Sequence, residues 1–231
     1  MVPTYRHPAP RYRTCPGRLR TPHSVIEHGA MSSAARLSWY ALAIVVASLV
    51  LGALTSWAQG WLPDQMSSFA NSPSGWTILT AVLVAAARPT IAAGAVLGVA
   101  SFVALVLGYT VASELRGLRY GPLLWSAVGV VAGPFAGAAA AAVVGERQVR
   151  AGLGAGALAG VLVADGVYGL ITVAETTSPV YWTVCLVLGA ALLLGMAVRL
   201  RGGLPTAALV ATTAAATAVL SAGYAVLNGG L

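Results

Sequence analysis

The chain has 231 residues, 58% of them hydrophobic and 8% charged, where soluble domains average about 45–50% apolar and about 25% charged residues. That composition excludes a soluble globular fold and specifies an all-α polytopic integral membrane protein. The net charge of +7 comes from 13 arginines and no lysine against six acids, and its uneven placement points to membrane orientation rather than to nucleic acid.

Residues 1–36 hold six arginines (Arg6, Arg11, Arg13, Arg18, Arg20, Arg36), all three histidines (His7, His23, His28) and several prolines. Without apolar periodicity this segment is expected to be a disordered basic tail, leaving 37–231 as one transmembrane domain. Met31, just before the first apolar run, marks an alternative translation start; the other reading is a solvated tail beside anionic headgroups. Cys15 and Cys185 lie far apart in sequence, so neither a disulfide framework nor a metal site is expected, and no cofactor is implied. The first apolar run, Leu37 to Ala58, exceeds the 7–15-residue core of a signal peptide and reads as a retained helix.

A bilayer core about 30 Å thick needs ~20 apolar residues in a helix. Seven spans are predicted, at about 37–58, 75–87, 90–113, 122–144, 150–173, 180–199 and 204–226, with only the second short. With the N-terminus inside, inner segments carry 11 arginines and outer ones two, Arg116 and Arg119, as the enrichment of basic residues in cytoplasmic loops demands. Omitting the short second span reverses every later loop, so seven spans with N-in and C-out, in the cell membrane, is the expectation. Trp57, Trp61, Trp76, Tyr109, Tyr120, Trp125, Tyr168, Tyr181, Trp182 and Tyr224 fall toward outer helix ends, where they read as interfacial anchors.

Helices two to seven also read as three similar hairpins. Trp76, Trp125 and Trp182 open them, Arg88, Arg147 and Arg201 mark the turns, and Tyr109, Tyr168 and Tyr224 close them, 21, 21 and 23 residues after each turn. Gly129, Gly133 and Gly137 on helix four, and Gly152, Gly156 and Gly160 on helix five, recur at four-residue spacing. Such stripes let backbones approach and drive helix association in lipid, so both helices are expected to pack tightly. Pro134 is expected to bend helix four.

Asp165 is the principal candidate binding or transport residue. A carboxylate within a membrane helix costs about 2.5–3.5 kcal/mol on insertion scales and marks a functional site by default; the alternatives are an interhelical hydrogen bond or snorkelling toward outer water. Asp64, Glu114 and Glu175 also lie on the outer side, either as an acidic mouth attracting cations or as what arginine exclusion leaves behind, with Arg116 and Arg119 as partners for Glu114. The first outer loop, Gln59 to Trp76, is polar, turn-rich and aromatic. It reads as an interfacial cap that re-enters the membrane and lines a cavity, and Gln59, Asn71 and Trp76 are its candidate site residues.

Gln59-Gly60, Leu62-Pro63, Ala70-Asn71-Ser72 and Trp76 make a QGxLP...ANSxxxW pattern, followed by Arg88-Pro89, Gly108-Tyr109, Ala132-Gly133-Pro134 and Asp165-Gly166. From about residue 38 to the C-terminus this resembles a family of bacterial multi-pass membrane proteins of unknown function. The resemblance implies a small integral membrane protein and supplies no reaction.

No glycine loop leads to a lysine, and no histidine lies in a membrane segment, which argues against ATP hydrolysis, haem ligation and zinc peptidase chemistry. A single carboxylate within the spans does not make an aspartyl protease dyad, so an enzyme is the least favoured class. Two functions remain open. One is a small permease-like or substrate-binding component in the lipid bilayer, working as a homo-oligomer or with an energy-coupling partner; the other is a non-transporting structural or envelope-assembly protein.

Overall fold

The structure is a computed structural model that describes residues 33–229; the expectations for the basic tail, its alternative start and Cys15 lie outside the described residues. Helix α1 (Ser33–Trp61) leads through a 3-10 helix (Asp64–Asn71) to α2 (Pro73–Ala86), α3 (Ile91–Leu115) and α4 (Pro122–Val144). Next comes α5 (Gln148–Tyr168), extended by a π-helical turn (Gly169–Val173) and the short α6 (Ala174–Thr177), then α7 (Pro179–Arg199) and α8 (Gly203–Gly229). Among the described residues six helices are long and apolar enough to cross a membrane, and α2 is a shorter apolar helix of 14 residues. The fifth span therefore runs four residues beyond its expected end, to Thr177.

Local chemistry sets the boundaries. Pro73, Pro122 and Pro179 occupy first-turn positions of α2, α4 and α7, where the missing N–H costs nothing. The Ser72 and Thr90 hydroxyls accept from the Gly75 and Ala93 N–H groups at the starts of α2 and α3. Gly202, at φ +99, makes the turn before α8. Pro134 lies within α4, which continues through it.

Much of the interior is alanine, glycine and serine, while many large apolar side chains, Phe135, Leu123 and Val198 among them, face outward. That inversion suits a lipid surround, where burial gains little and close approach gains dispersion. The two glycine stripes do not face each other. Gly133 and Gly137 of α4 lie against Gly94 and Gly98 of α3, and Gly129 packs against the Phe102 ring; Gly152, Gly156 and Gly160 of α5 lie against Pro205, Leu209 and Thr213 of α8. Helices α4 and α5 meet instead where Gly154 abuts Ala139. Helix α1 docks on α3 through Gly52 and Gly108, with Ser48–Ser101 and Ser56–Ser113 hydroxyl pairs at 2.8 and 2.9 Å.

Hairpin packing also departs from the repeat expectation. Within the first hairpin, Trp76 packs on Tyr109. Tyr168 and Tyr224, which close the second and third, stack on each other at 3.9 Å, and α7 and α8 both pack chiefly on α5 rather than on one another. The three hairpins thus share sequence landmarks without sharing one packing pattern.

The ends of the bundle differ in character. One gathers most of the tryptophans and tyrosines, the other holds Trp39 and Tyr40 of α1 with Arg88, Arg147, Arg150, Arg199 and Arg201. At the arginine end, Arg199 donates to the Val143 and Gly145 carbonyls, placing a cation on the electronegative terminus of α4. At the aromatic end, Arg116 donates to the Ser56 carbonyl and hydroxyl and lies over the Trp57 ring, so it fastens α3 to α1 instead of pairing with Glu114. The anchor expectation needs a second correction. Trp61 is 76% exposed, whereas Trp76, Tyr109, Tyr181 and Trp182 are buried, because these rings fill space beside glycines and serines that leave no bulk of their own.

Candidate functional site: a buried carboxylate beside an aromatic cavity

Asp165 is the only buried charged side chain among the described residues, 1% exposed. Its Oδ2 accepts the Ser74 backbone N–H at 3.0 Å, and its Oδ1 accepts the Tyr224 hydroxyl. Ser74 lies in the first turn of α2, where backbone N–H groups lack intrahelical partners. Asp165 of α5 therefore caps α2 from across the bundle, placing an acceptor oxygen at the positive end of that helix.

More polar groups extend the cap. The Tyr181 hydroxyl lies 2.5 Å from Ser72 Oγ and 2.8 Å from Ser74 Oγ, and Ser74 Oγ lies 3.5 Å from Cys185 Sγ. Four segments of chain meet here: the capped start of α2 (Ser72 to Ser74), then α5, α7 and α8. One turn past Asp165, α5 widens into its π segment, where Gly169 leaves the space occupied by the Trp182 ring; π turns of this kind recur at functional sites.

Beside the network lies a cavity of about 260 Å³. Five rings form much of its wall: Trp76, Phe102, Tyr120, Trp125 and Tyr224, with Val161, Leu220, Ser72 and Thr77 among the other lining residues. Among the described residues no charged one lines it. Tyr224 joins network to cavity, since its ring is wall and its hydroxyl holds Asp165. Burial pushes the Tyr120 phenol up to about 12, with Tyr109 beside it adding to the rise, so Tyr120 remains a neutral wall residue at ordinary pH. A second apolar cavity, about 230 Å³, shares Thr77 and Val161 with the first.

The sequence candidates separate in space. Trp76 is buried in the wall, donates its ring N–H to the Ala70 carbonyl at 3.2 Å, and packs on Phe102 and Tyr109. Gln59 is bound instead by Tyr109, whose hydroxyl donates to Gln59 Oε1 at 2.9 Å. It therefore belongs to the Tyr109–Tyr120 cluster rather than to the carboxylate. Asn71 ends the 3-10 helix, and its side chain is outside the described set. Sequence reasoning did not single out Ser72, Ser74, Tyr181 or Tyr224 as site residues. The one available signal was the serine pair flanking Pro73, a helix-start pattern that gives no hint of a partner on α5.

These features define a multi-pass helical membrane protein with a capped polar cluster and an adjoining aromatic cavity. The chain belongs to the family of unknown function DUF6518, which matches residues 31–230. Comparisons with the curated proteins and with the solved structures gave no match.

Proposed function

We propose that this protein is a small permease-like or substrate-binding component of the cell membrane, without a catalytic step of its own, that takes a ligand into the aromatic cavity. The observation that carries the reading is the 260 Å³ ring-lined cavity whose wall residue Tyr224 hydrogen-bonds the one buried charged side chain among the described residues. Concave, mostly apolar pockets with a few convergent polar groups are the usual form of small-ligand sites. In this proposal all seven helices are embedded, α2 with the 3-10 helix forming the re-entrant cap, and the aromatic end faces outward by the arginine asymmetry. A homo-oligomer or an energy-coupling partner would complete a transporter of this size.

A stability screen of the detergent-purified chain against small metabolites tests this, because a ligand of the native state raises its apparent stability by mass action. Stabilisation by a compound in wild type that is lost in Trp125→Ala is the expected result. The absence of any stabilising compound would favour the second reading, a structural or envelope-assembly protein. One observation supports that alternative: both carboxylate oxygens of Asp165 are already engaged, by Ser74 and Tyr224. Under it, Trp125→Ala leaves the protein's cellular role intact.

A further inference from the structure

Resting on the ligand-cavity reading above, we infer that the cavity takes an organic cation, an ammonium group bearing alkyl substituents, held by ring faces and by the field of Asp165. Rings contribute from separate places in the fold: Trp76 from α2, Phe102 from α3, Trp125 from α4, Tyr224 from α8, and Tyr120 from the loop before α4. Ring faces are electronegative, and a cation over Trp or Tyr gains most when it is removed from water. The protein uses this contact once already, with the Arg116 guanidinium 5.3 Å from the Trp57 ring centre.

The charge balance points the same way. Among the described residues no basic side chain lines the cavity and none bonds to Asp165. Within the low-dielectric interior the terminus of α2 offers roughly half a positive charge, so an ionised Asp165 leaves a negative field around Tyr224. By donating its hydroxyl proton to that carboxylate, Tyr224 also becomes a more electron-rich wall. An anionic ligand would meet this field with little to offset it, since the Ser72 hydroxyl is already occupied by Gly75, Ser74 and Tyr181. The size is suitable as well: an apolar cavity of about 150 Å³ holds one benzene, so 260 Å³ accepts a substituted ammonium head with a short tail.

The test compares choline with 3,3-dimethylbutan-1-ol, its uncharged isostere, by tryptophan fluorescence and calorimetry on the detergent-purified full chain. Choline is expected to bind about tenfold more tightly than the alcohol. Trp125→Leu should weaken choline, and Asp165→Asn should bring the two affinities together. Equal binding of both probes, weakened alike by Trp125→Leu, would overturn the cation assignment and leave the ligand cavity standing. Binding of neither probe by a folded protein, together with no hit in the metabolite screen, would overturn both readings. Should Asp165→Asn fail to fold, the choline-to-alcohol ratio in wild type and in Trp125→Leu still decides the question.

Discussion

Thr80 is fully buried in α2, and its hydroxyl is the buried side-chain polar atom left without a hydrogen-bond partner among the described residues. An unmet buried hydroxyl costs about 1–3 kcal/mol, and valine has nearly the same shape. Thr80→Val is therefore expected to raise the unfolding midpoint in detergent; a lowered midpoint would reveal a partner for that hydroxyl. Asp165→Leu should act in the opposite sense by orphaning both the Ser74 N–H and the Tyr224 hydroxyl, at a cost of about 2–4 kcal/mol, read in the same melts. Asp165 was legible in the sequence because a carboxylate in an apolar run is costly and demands either a partner or a role. Its partners were not, since Ser74 lies 91 residues away and looks like any helix-start serine.

At the scale of elements, the glycine stripes announced close packing without naming the neighbour. A four-residue repeat of small residues states only that one face can be approached, and lipid supplies no hydrophobic preference to choose between faces. The spans were readable because length and apolarity are local properties, and the predicted and observed boundaries of α4 coincide at 122–144. The assignment of α3 to one stripe and α8 to the other depends on the whole bundle. Gly98 shows how tight the first contact is: a Cβ there would lie 2.9 Å from the Gly137 Cα. Gly98→Val is expected to force α3 from α4 and cost about 1–3 kcal/mol, whereas Gly195→Ala on α7, with open space around it, should be neutral or slightly stabilising. Thermal unfolding of the two variants side by side checks the contrast. Equal effects would mean that the α3–α4 approach is looser than described.

For the whole molecule, the proposed orientation makes a definite demand. Thr176 and Glu146 are exposed near opposite ends of the bundle. With Cys15 replaced by serine, a cysteine at 176 should react with an impermeant thiol reagent added to intact cells, and one at 146 only after the membrane is opened. The reverse pattern would invert the proteins' placement in the membrane while leaving the fold unchanged. The arginine asymmetry behind this prediction was visible from the sequence alone, because it is a sum over loops and needs no contacts. The cavity was not visible, because its wall draws five rings from four separate stretches of chain.

The cap on α2 also has a meaning in time. A ribosome delivers α2 well before Asp165, and the Ser72 and Ser74 hydroxyls wait for Tyr181, more than a hundred residues later. A short helix whose Ser74 N–H is met only by a later helix, with Ser72 as its sole local cap, has no settled berth while the chain is half made. In a nascent chain arrested at Glu146, a cysteine replacing Ser74 should remain reactive toward a thiol reagent, although in the finished protein Ser74 is wholly buried. Equal protection in both would mean that α2 seats without α5. The expected contrast makes α2, early in sequence, among the last helices to find its place.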